Sequence, residues 1–413
     1  MSSNGSEGNR SLIDVMQEFS IPLLSGVVVS LIWANVDLHG YEAAMHWSPL
    51  GHHSKINLHF FANELLMVFF FGVAAKEITE AALPGGALNP PSKAVNPLMG
   101  TLGGVLGPVG CYFAMVSLLG APEISNGWGI PTATDIALAW LVARLVFGAR
   151  HPAVSYLLLL AVADDAIGLG IIAVFYPDPN NPTDPRWLAL VGVAILIAFA
   201  LRKRDVQSFW PYLLVPGVIS WAGLYFAHLH PSLALVAVVP FMPSRGYDEG
   251  IFRERQHSER YVDTLNRFEH TFKRPVDFGL FAFGLANAGV SFSSMGPATW
   301  AVLVALVVGK TVGITGFSLG AEALGFKLPQ GMDIKTLVMS GLVAAIGLTV
   351  ALFVAGVAFT EPTLQGSAKM GALFSSLAAP LAIVLGRMLG IRRMTDDAPQ
   401  SQATPQEVAG QAE

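Results

Sequence analysis

Residues 157–168 read Leu-Leu-Leu-Leu-Ala-Val-Ala-Asp-Asp-Ala-Ile-Gly, with two adjacent aspartates in the middle of an apolar run. The run extends over 151–176, and a helix of about 20 apolar residues is enough to cross the hydrocarbon core of a bilayer. A charged side chain at the centre of such a helix costs about 2.5–3.5 kcal/mol on insertion scales, so a doubled charge needs a compensating role. A single buried Asp can serve as a hydrogen-bonding group between helices; a pair exceeds that purpose. Neighbours on an α-helix point about 100° apart, so Asp164 and Asp165 cannot both face one partner. One can pair with a cation on another helix while the other faces a water-filled cavity.

The rest of the chain agrees with a membrane setting. Of 413 residues 53% are hydrophobic and 13% charged, at a mean hydropathy of +0.54. A soluble domain carries about 25% charged residues, so most of this surface must face lipid. Apolar segments fit membrane-spanning helices near 12–35, 58–82, 95–118, 122–147, 151–176, 186–203, 208–227, 229–243, 274–292, 296–319, 334–359 and 368–390. The expected fold class is therefore an all-α polytopic membrane protein of about twelve transmembrane helices. It comprises a polar N-terminal tail (1–11), one transmembrane domain (12–390) and a disordered polar C-terminal tail (391–413). Met1 to Arg10 contain no apolar h-region, so no cleaved signal peptide is expected. With a cytoplasmic N-terminus, three of the 24 Lys and Arg fall outside (Lys55, Arg186, Lys369) and two within spans (Lys76, Lys310). The others lie on cytoplasmic stretches, as the positive-inside rule requires, so both termini are expected in the cytoplasm. The loop 244–273 alternates charges (Arg253, Glu254, Arg255, Glu259, Arg260) and is expected to contain an interfacial amphipathic helix. Cys111 is the only cysteine, which excludes an intrachain disulfide, and the net charge of −5 argues against a nucleic-acid partner. The partners expected are lipid and small cations. A homodimer is left open.

A pattern repeats across the two halves. The glycine-rich run 95–118 is followed by an interrupted segment, Gly-Trp-Gly-Ile-Pro-Thr-Ala-Thr-Asp at 127–135, and then a long apolar helix. Near the C-terminus 296–319 is followed by a run interrupted at Ile346-Gly347-Leu348-Thr349, and then 368–390. Paired interrupted segments are the sequence pointer to a transporter site between two repeats, so 95–176 and 296–390 are expected to form the interface between halves.

Four charges sit deep in apolar sequence: Asp135, Asp164, Asp165 and Lys310. Lys310, in Val-Val-Gly-Lys-Thr-Val-Gly, is the fixed partner available to the aspartates; a lysine snorkelling from a helix end is the bland alternative, but apolar residues continue beyond it. Gly309-Lys310-Thr311 ends like a phosphate-binding loop, yet Val304 stands where that motif needs glycine, which excludes nucleotide binding. Thr134 and Asp135 follow Pro131 and suit a helix N-cap. An interrupted helix also exposes carbonyls, and carboxylate, hydroxyl and carbonyl oxygens suit a hard ion such as Na⁺. No Cys/His cluster competes with that reading.

The motifs Pro131-Thr-Ala-Thr-Asp135-Ile-Ala, Asp164-Asp165, Phe283-Gly-Leu-Ala-Asn-Ala-Gly-Val290, Gly309-Lys310, and Leu328-Pro-Gln-Gly331 with Ile346-Gly-Leu-Thr349 resemble the NhaA family of bacterial sodium/proton antiporters, in order and spacing over about 12–390. The resemblance implies an inverted repeat with two broken helices crossing at the midplane, in the bacterial inner membrane. It implies electrogenic exchange of cytoplasmic Na⁺, and of Li⁺, for external H⁺, controlling intracellular pH and sodium, with no cofactor and no enzymatic activity. By motif position Asp165 is the main sodium carboxylate, Asp164 the proton-linked partner of Lys310, and Thr134 and Asp135 line the crossing; Asp165, Asp164 and Thr134 are the sodium ligands. The family's Glu-x-Lys-Arg-Glu cluster, which belongs to its pH response, is replaced by Ala75-Lys76-Glu77-Ile78-Thr79-Glu80, with lysine for an acid and threonine for arginine. Glu77, Glu80, His230, Glu269 and His270 remain the candidates for pH regulation; a polar interface or helix end serves equally for each histidine. Two other classes stand beside the antiporter: a sodium-coupled organic-solute symporter, which shares broken helices and acids, and an intramembrane aspartyl protease, which needs two acids on facing helices.

Overall fold

A computed structural model describes residues 20–48, 57–84, 86, 88, 91–177, 181–244, 263–391 and 393–394. Among them every regular element is helical. In chain order these are α1 (Ile21–Val36), α2 (Leu38–Met45), α3 (Leu58–Ala82), α4 (Pro91–Leu119), a 3₁₀ segment Pro122–Thr132 leading into α5 (Ile136–Phe147), α6 (Pro152–Phe175), α7 (Pro185–Lys203) and α8 (210–226). They continue with α9 (Pro231–Phe241), α10 (Thr264–Asn287), α11 (Pro297–Ala323), α12 (Ile334–Ala344), α13 (Leu348–Ala358) and α14 (Pro362–Met388).

Each of the twelve expected segments has a helical counterpart. Six, α3, α4, α6, α7, α11 and α14, are long and apolar enough to cross a membrane alone. Two more spans form if each bent pair counts once: Pro122–Thr132 with α5 turns by 61°, and α12 with α13 by 47°. The other segments are shorter than this criterion or, in α10, carry charges in the first turns (Arg267, Glu269, Lys273, Arg274).

The physical cause of the bends is legible in the chain. Pro131 lacks an amide hydrogen, and the backbone from Ala133 to Asp135 becomes extended before Asp135 restarts the helix. In the second pair Gly347 breaks the run; a Cβ there would lie 3.1 Å from the carbonyl oxygen of Ala133 and 2.9 Å from Leu306, so only glycine lets the two breaks touch. They do touch: the Asp135 amide donates to Ile346 O at 2.7 Å.

The repeat is visible as α4, the first bent pair and α6 set against α11, the second bent pair and α14. Helices α4 and α11 run antiparallel. A Cβ on Gly103 would strike the carbonyl oxygen of Gly313, and one on Gly107 that of Gly309, so the register advances along one helix as it retreats along the other. Small residues at such a seam allow the close approach from which helix packing in lipid gains.

Several expectations need correction. Lys369 is not in an external loop: α14 begins at Pro362, and Lys369 is buried at the start of its third turn. The segment expected at 274–292 begins ten residues earlier, because Asp263 caps α10 by accepting the Asn266 amide at 2.9 Å. Part of the expected 244–273 loop is therefore the start of that helix. Arg253, Glu254, Arg255, Glu259 and Arg260, like Lys55, the N-terminal tail and all of the C-terminal tail except 391, 393 and 394, lie outside the described residues; the Met394 amide donates to Phe147 O at 2.9 Å. The short helix α2 has no counterpart among the expected spans.

Candidate functional site

The site is assembled where the two breaks meet α6 and α11. Asp164 is fully buried; its Oδ2 lies 2.9 Å from Lys310 Nζ and 2.8 Å from the Thr134 hydroxyl. Lys310 Nζ also donates to Thr132 O at 2.8 Å. The Thr134 hydroxyl is 3.0 Å from Ala344 O, so its one proton serves either the carboxylate or that carbonyl. Lys310 terminates a π-helical turn, Ala305–Lys310, in α11. Such turns re-phase a helix and are frequent at functional sites.

Asp135 faces the other way along the crossing. Its Oδ1 accepts the Leu138 amide at 3.1 Å and its Oδ2 the Thr349 amide at 3.3 Å, so one carboxylate serves the N-termini of both α5 and α13. Helix N-termini carry partial positive charge and C-termini partial negative charge. Asp135 thus compensates two converging N-termini, while Lys310 meets the carbonyl of Thr132 at the C-terminal end of the 3₁₀ segment.

Asp165 points about 100° away from its neighbour. It lies with Phe71 and Ala74 of α3, Leu169 of α6 and Val350 of α13 around a narrow recess. Among the described residues neither Asp164 Oδ1 nor Asp165 Oδ1 has a hydrogen-bond partner. Among those residues no group of three or more His, Cys, Asp or Glu is arranged to hold a metal ion by itself. A hard cation here would therefore take oxygens from these carboxylates, with the Thr134 hydroxyl, backbone carbonyls or water completing its shell. The acids stand on one helix, and Asp164 is engaged by Lys310; that is not the facing pair an aspartyl protease needs.

The candidates for pH regulation divide. Lys76, Glu77, Glu80 and Glu269 come together: Lys76 Nζ is 2.8 Å from Glu80, 3.5 Å from Glu77, and in close ion contact with Glu269 across on α10. Lys76, Glu80 and Glu269 are buried. His270, the next residue on α10, turns outward and is exposed. His230 lies apart from the cage, at the start of α9, where its Nε2–H donates to Tyr176 O at 2.6 Å and its ring meets Phe353. Sequence reasoning missed the carbonyls of Thr132, Ala344 and Ile346, since any residue supplies a carbonyl. It also missed a buried amide pair, Asn63 and Asn287, exchanging hydrogen bonds of 2.8 and 3.4 Å between α3 and α10; Asn287 stands in the quoted 283–290 motif, but nothing local marks Asn63 as its partner.

Two interrupted helices touching beside buried carboxylates, within a bundle of apolar helices, define a polytopic ion-transport protein. The particular family follows from comparison: the model for Na⁺/H⁺ antiporter 1 matches residues 11–388, and the chain belongs to that family. It is 59% identical to the Na⁺/H⁺ antiporter NhaA of Geobacter sulfurreducens, over 93% of this chain and 100% of that protein. Identity is 56% to the NhaA of Desulfitobacterium hafniense, over 94% and 98%. At 45% identity it is similar to the NhaA of a Jannaschia species, over 91% and 97%. The solved sodium proton antiporter MjNhaP1 of Methanocaldococcus jannaschii shares the fold at a TM-score of 0.56 and 14% identity, covering 92% of this chain and 99% of that one. Members of the family are transporters and not enzymes.

Proposed function

We propose that the chain exchanges Na⁺ for H⁺ at the aspartate pair of α6, as a multi-pass protein of the bacterial inner membrane with both termini in the cytoplasm. One observation carries the reading: Lys310 and Thr134 hold Asp164, while the adjoining Asp165 borders a recess with an unpartnered oxygen. A proton and a sodium ion compete for the same carboxylate oxygens. If the two broken helices change access only with the site occupied, competition alone makes the cycle an exchange. Sodium approaching Asp165 draws on Asp164 as a second ligand, and Lys310 then releases Asp164 and retains Thr132 O. Inward proton flow drives Na⁺ outward, Li⁺ follows the same route as a smaller hard cation, and the presence of Lys310 favours an electrogenic cycle. The excess of Lys and Arg on one set of loops supports the orientation.

The test uses everted membrane vesicles acidified inside by respiration and loaded with a pH dye. Na⁺, Li⁺ or K⁺ is added across a pH range bracketing the ordinary histidine value, about 6.5. Dequenching by Na⁺ and Li⁺, weak with K⁺ and absent in Asp165→Asn, is the expected result. A wild type that responds to no cation at any pH would sink the exchange reading.

A further inference from the structure

Two recesses lie on opposite sides of one aromatic contact. The wider, about 720 Å³ including the space open to solvent, is bordered by Asn63, Glu64, Asn287, Phe353, Gly356 and Val357. The narrower contains Asp165 and is closed by Phe71, Ala74, Leu169 and Val350. Helices α3 and α13 wall both. Along α13 the residues Val350, Phe353 and Val357 follow at helical spacing and share a face. Val350 and Phe353 are about 4.5 Å apart along the axis at 1.5 Å per residue, so one turn of helix separates the recesses. On α3, Glu64 borders the wide recess and Phe71, seven residues further along, the narrow one.

Between the recesses the rings of Phe71 and Phe353 meet edge to face, with centroids 5.3 Å apart and planes at 80°. Both side chains are buried. The His230 ring packs on Phe353 at 5.6 Å and 70°, and its hydrogen bond to Tyr176 O fixes it there. An ion passing between Asp165 and the wide recess must cross this aromatic layer. An apolar constriction excludes ions because it strips their water without replacing it.

We propose that Phe71 and Phe353 are the gate between the Asp165 site and the Asn63–Asn287 recess, and that His230 is the positioning residue holding Phe353 closed. The proposal rests on Asp165 as the exchange site. Helix α13 is the moving half of the gate: it is short, it starts at the Gly347 break, and Thr349, whose amide reaches Asp135, lies one turn before Phe353. A shift of α13 as the crossing changes occupancy parts the two rings, whereas α3 is anchored by the Lys76 cage.

The experiment places one thiol on each side of the layer. Val350→Cys or Val357→Cys is introduced with Cys111→Ala, and each is treated with a quaternary-ammonium methanethiosulfonate in right-side-out and in everted vesicles. From the side that reaches position 357 quickly, position 350 should react slowly, and severalfold faster once Phe71→Ala or Phe353→Ala is added, with 357 unchanged. His230→Ala should give an intermediate rise, and His230→Gln, which keeps an amide donor, a smaller one. Phe353→Leu serves where the alanine variants do not reach the membrane. Equal rates at 350 and 357 in the parent, or a rate at 350 indifferent to both phenylalanines, overturns the gate. Labelling does not depend on transport, so failure of exchange in the parent removes the reading of Asp165 separately from this result.

Discussion

Lys310 is buried with one carboxylate, Asp164, and one carbonyl as partners. Removing one member of a buried ion pair leaves a lone charge and costs about 3–5 kcal/mol, whereas removing both costs far less. Lys310→Met should therefore lower the thermal unfolding midpoint in detergent markedly, and adding Asp164→Asn should restore part of the loss. A double variant no more stable than the single would show that the pair contributes little to the fold. Outside the spans, His151 caps α6 through Nδ1, which accepts the Ala153 amide at 3.1 Å. Burial lowers its pKa, opposed by nearby Asp333. The native state thus favours neutral imidazole and binds fewer protons than the unfolded chain. The corresponding stability is complete above the ordinary value, about pH 6.5, and is lost as pH falls below it toward the native value. Unfolding midpoints measured down a pH series should show that step in wild type and not in His151→Asn, which caps without titrating.

At the scale of elements, the α4–α11 seam depends on absent side chains. Gly313→Ala would drive a methyl into the Gly103 carbonyl, an overpacking expected to cost about 1–3 kcal/mol. Gly316, three residues on, faces open space, and alanine there should cause no loss, since alanine is favoured over glycine in helices by about 1 kcal/mol. Comparing the unfolding midpoints of the two variants checks the seam; equal effects would mean that close approach is not what these glycines provide. Helix positions were legible from apolar length, and both interruptions from Pro131 and from the Ile346–Thr349 run. The start of α10 was not, because hydropathy reports where lipid contact is favourable and is silent about a charged turn continuing beyond it. Lys369 was misplaced for a related reason: helix ends are set by caps and packing, which a sliding apolar window does not sense.

For the whole molecule, lipid is the outer solvent. Helix α7 is little buried and presents Val193, Leu196 and Phe199 outward, as the low overall charge requires. Three aspartates, Asp135, Asp164 and Asp165, and one lysine sit at the crossing, and exchange that returns more than one proton per sodium would move net charge. In proteoliposomes with a potassium diffusion potential of either sign, the initial rate of Na⁺ exchange should therefore rise with one polarity and fall with the other. A rate indifferent to polarity would make the cycle electroneutral.

The chain by itself determined that this protein is a bundle of membrane helices and marked Asp164 and Asp165 as charges whose burial needs a compensating role. Both conclusions rest on transfer free energies, which add residue by residue and need no knowledge of neighbours. Only the tertiary structure decided which carbonyls complete the crossing, and that Lys76, Glu77, Glu80 and Glu269 share one cage while His230 and His270 stand apart. Those outcomes depend on the rotational phase of each helix about its axis, which here includes a π turn ending at Lys310. Phase is settled by packing against helices that are distant in sequence, so no local pattern records it.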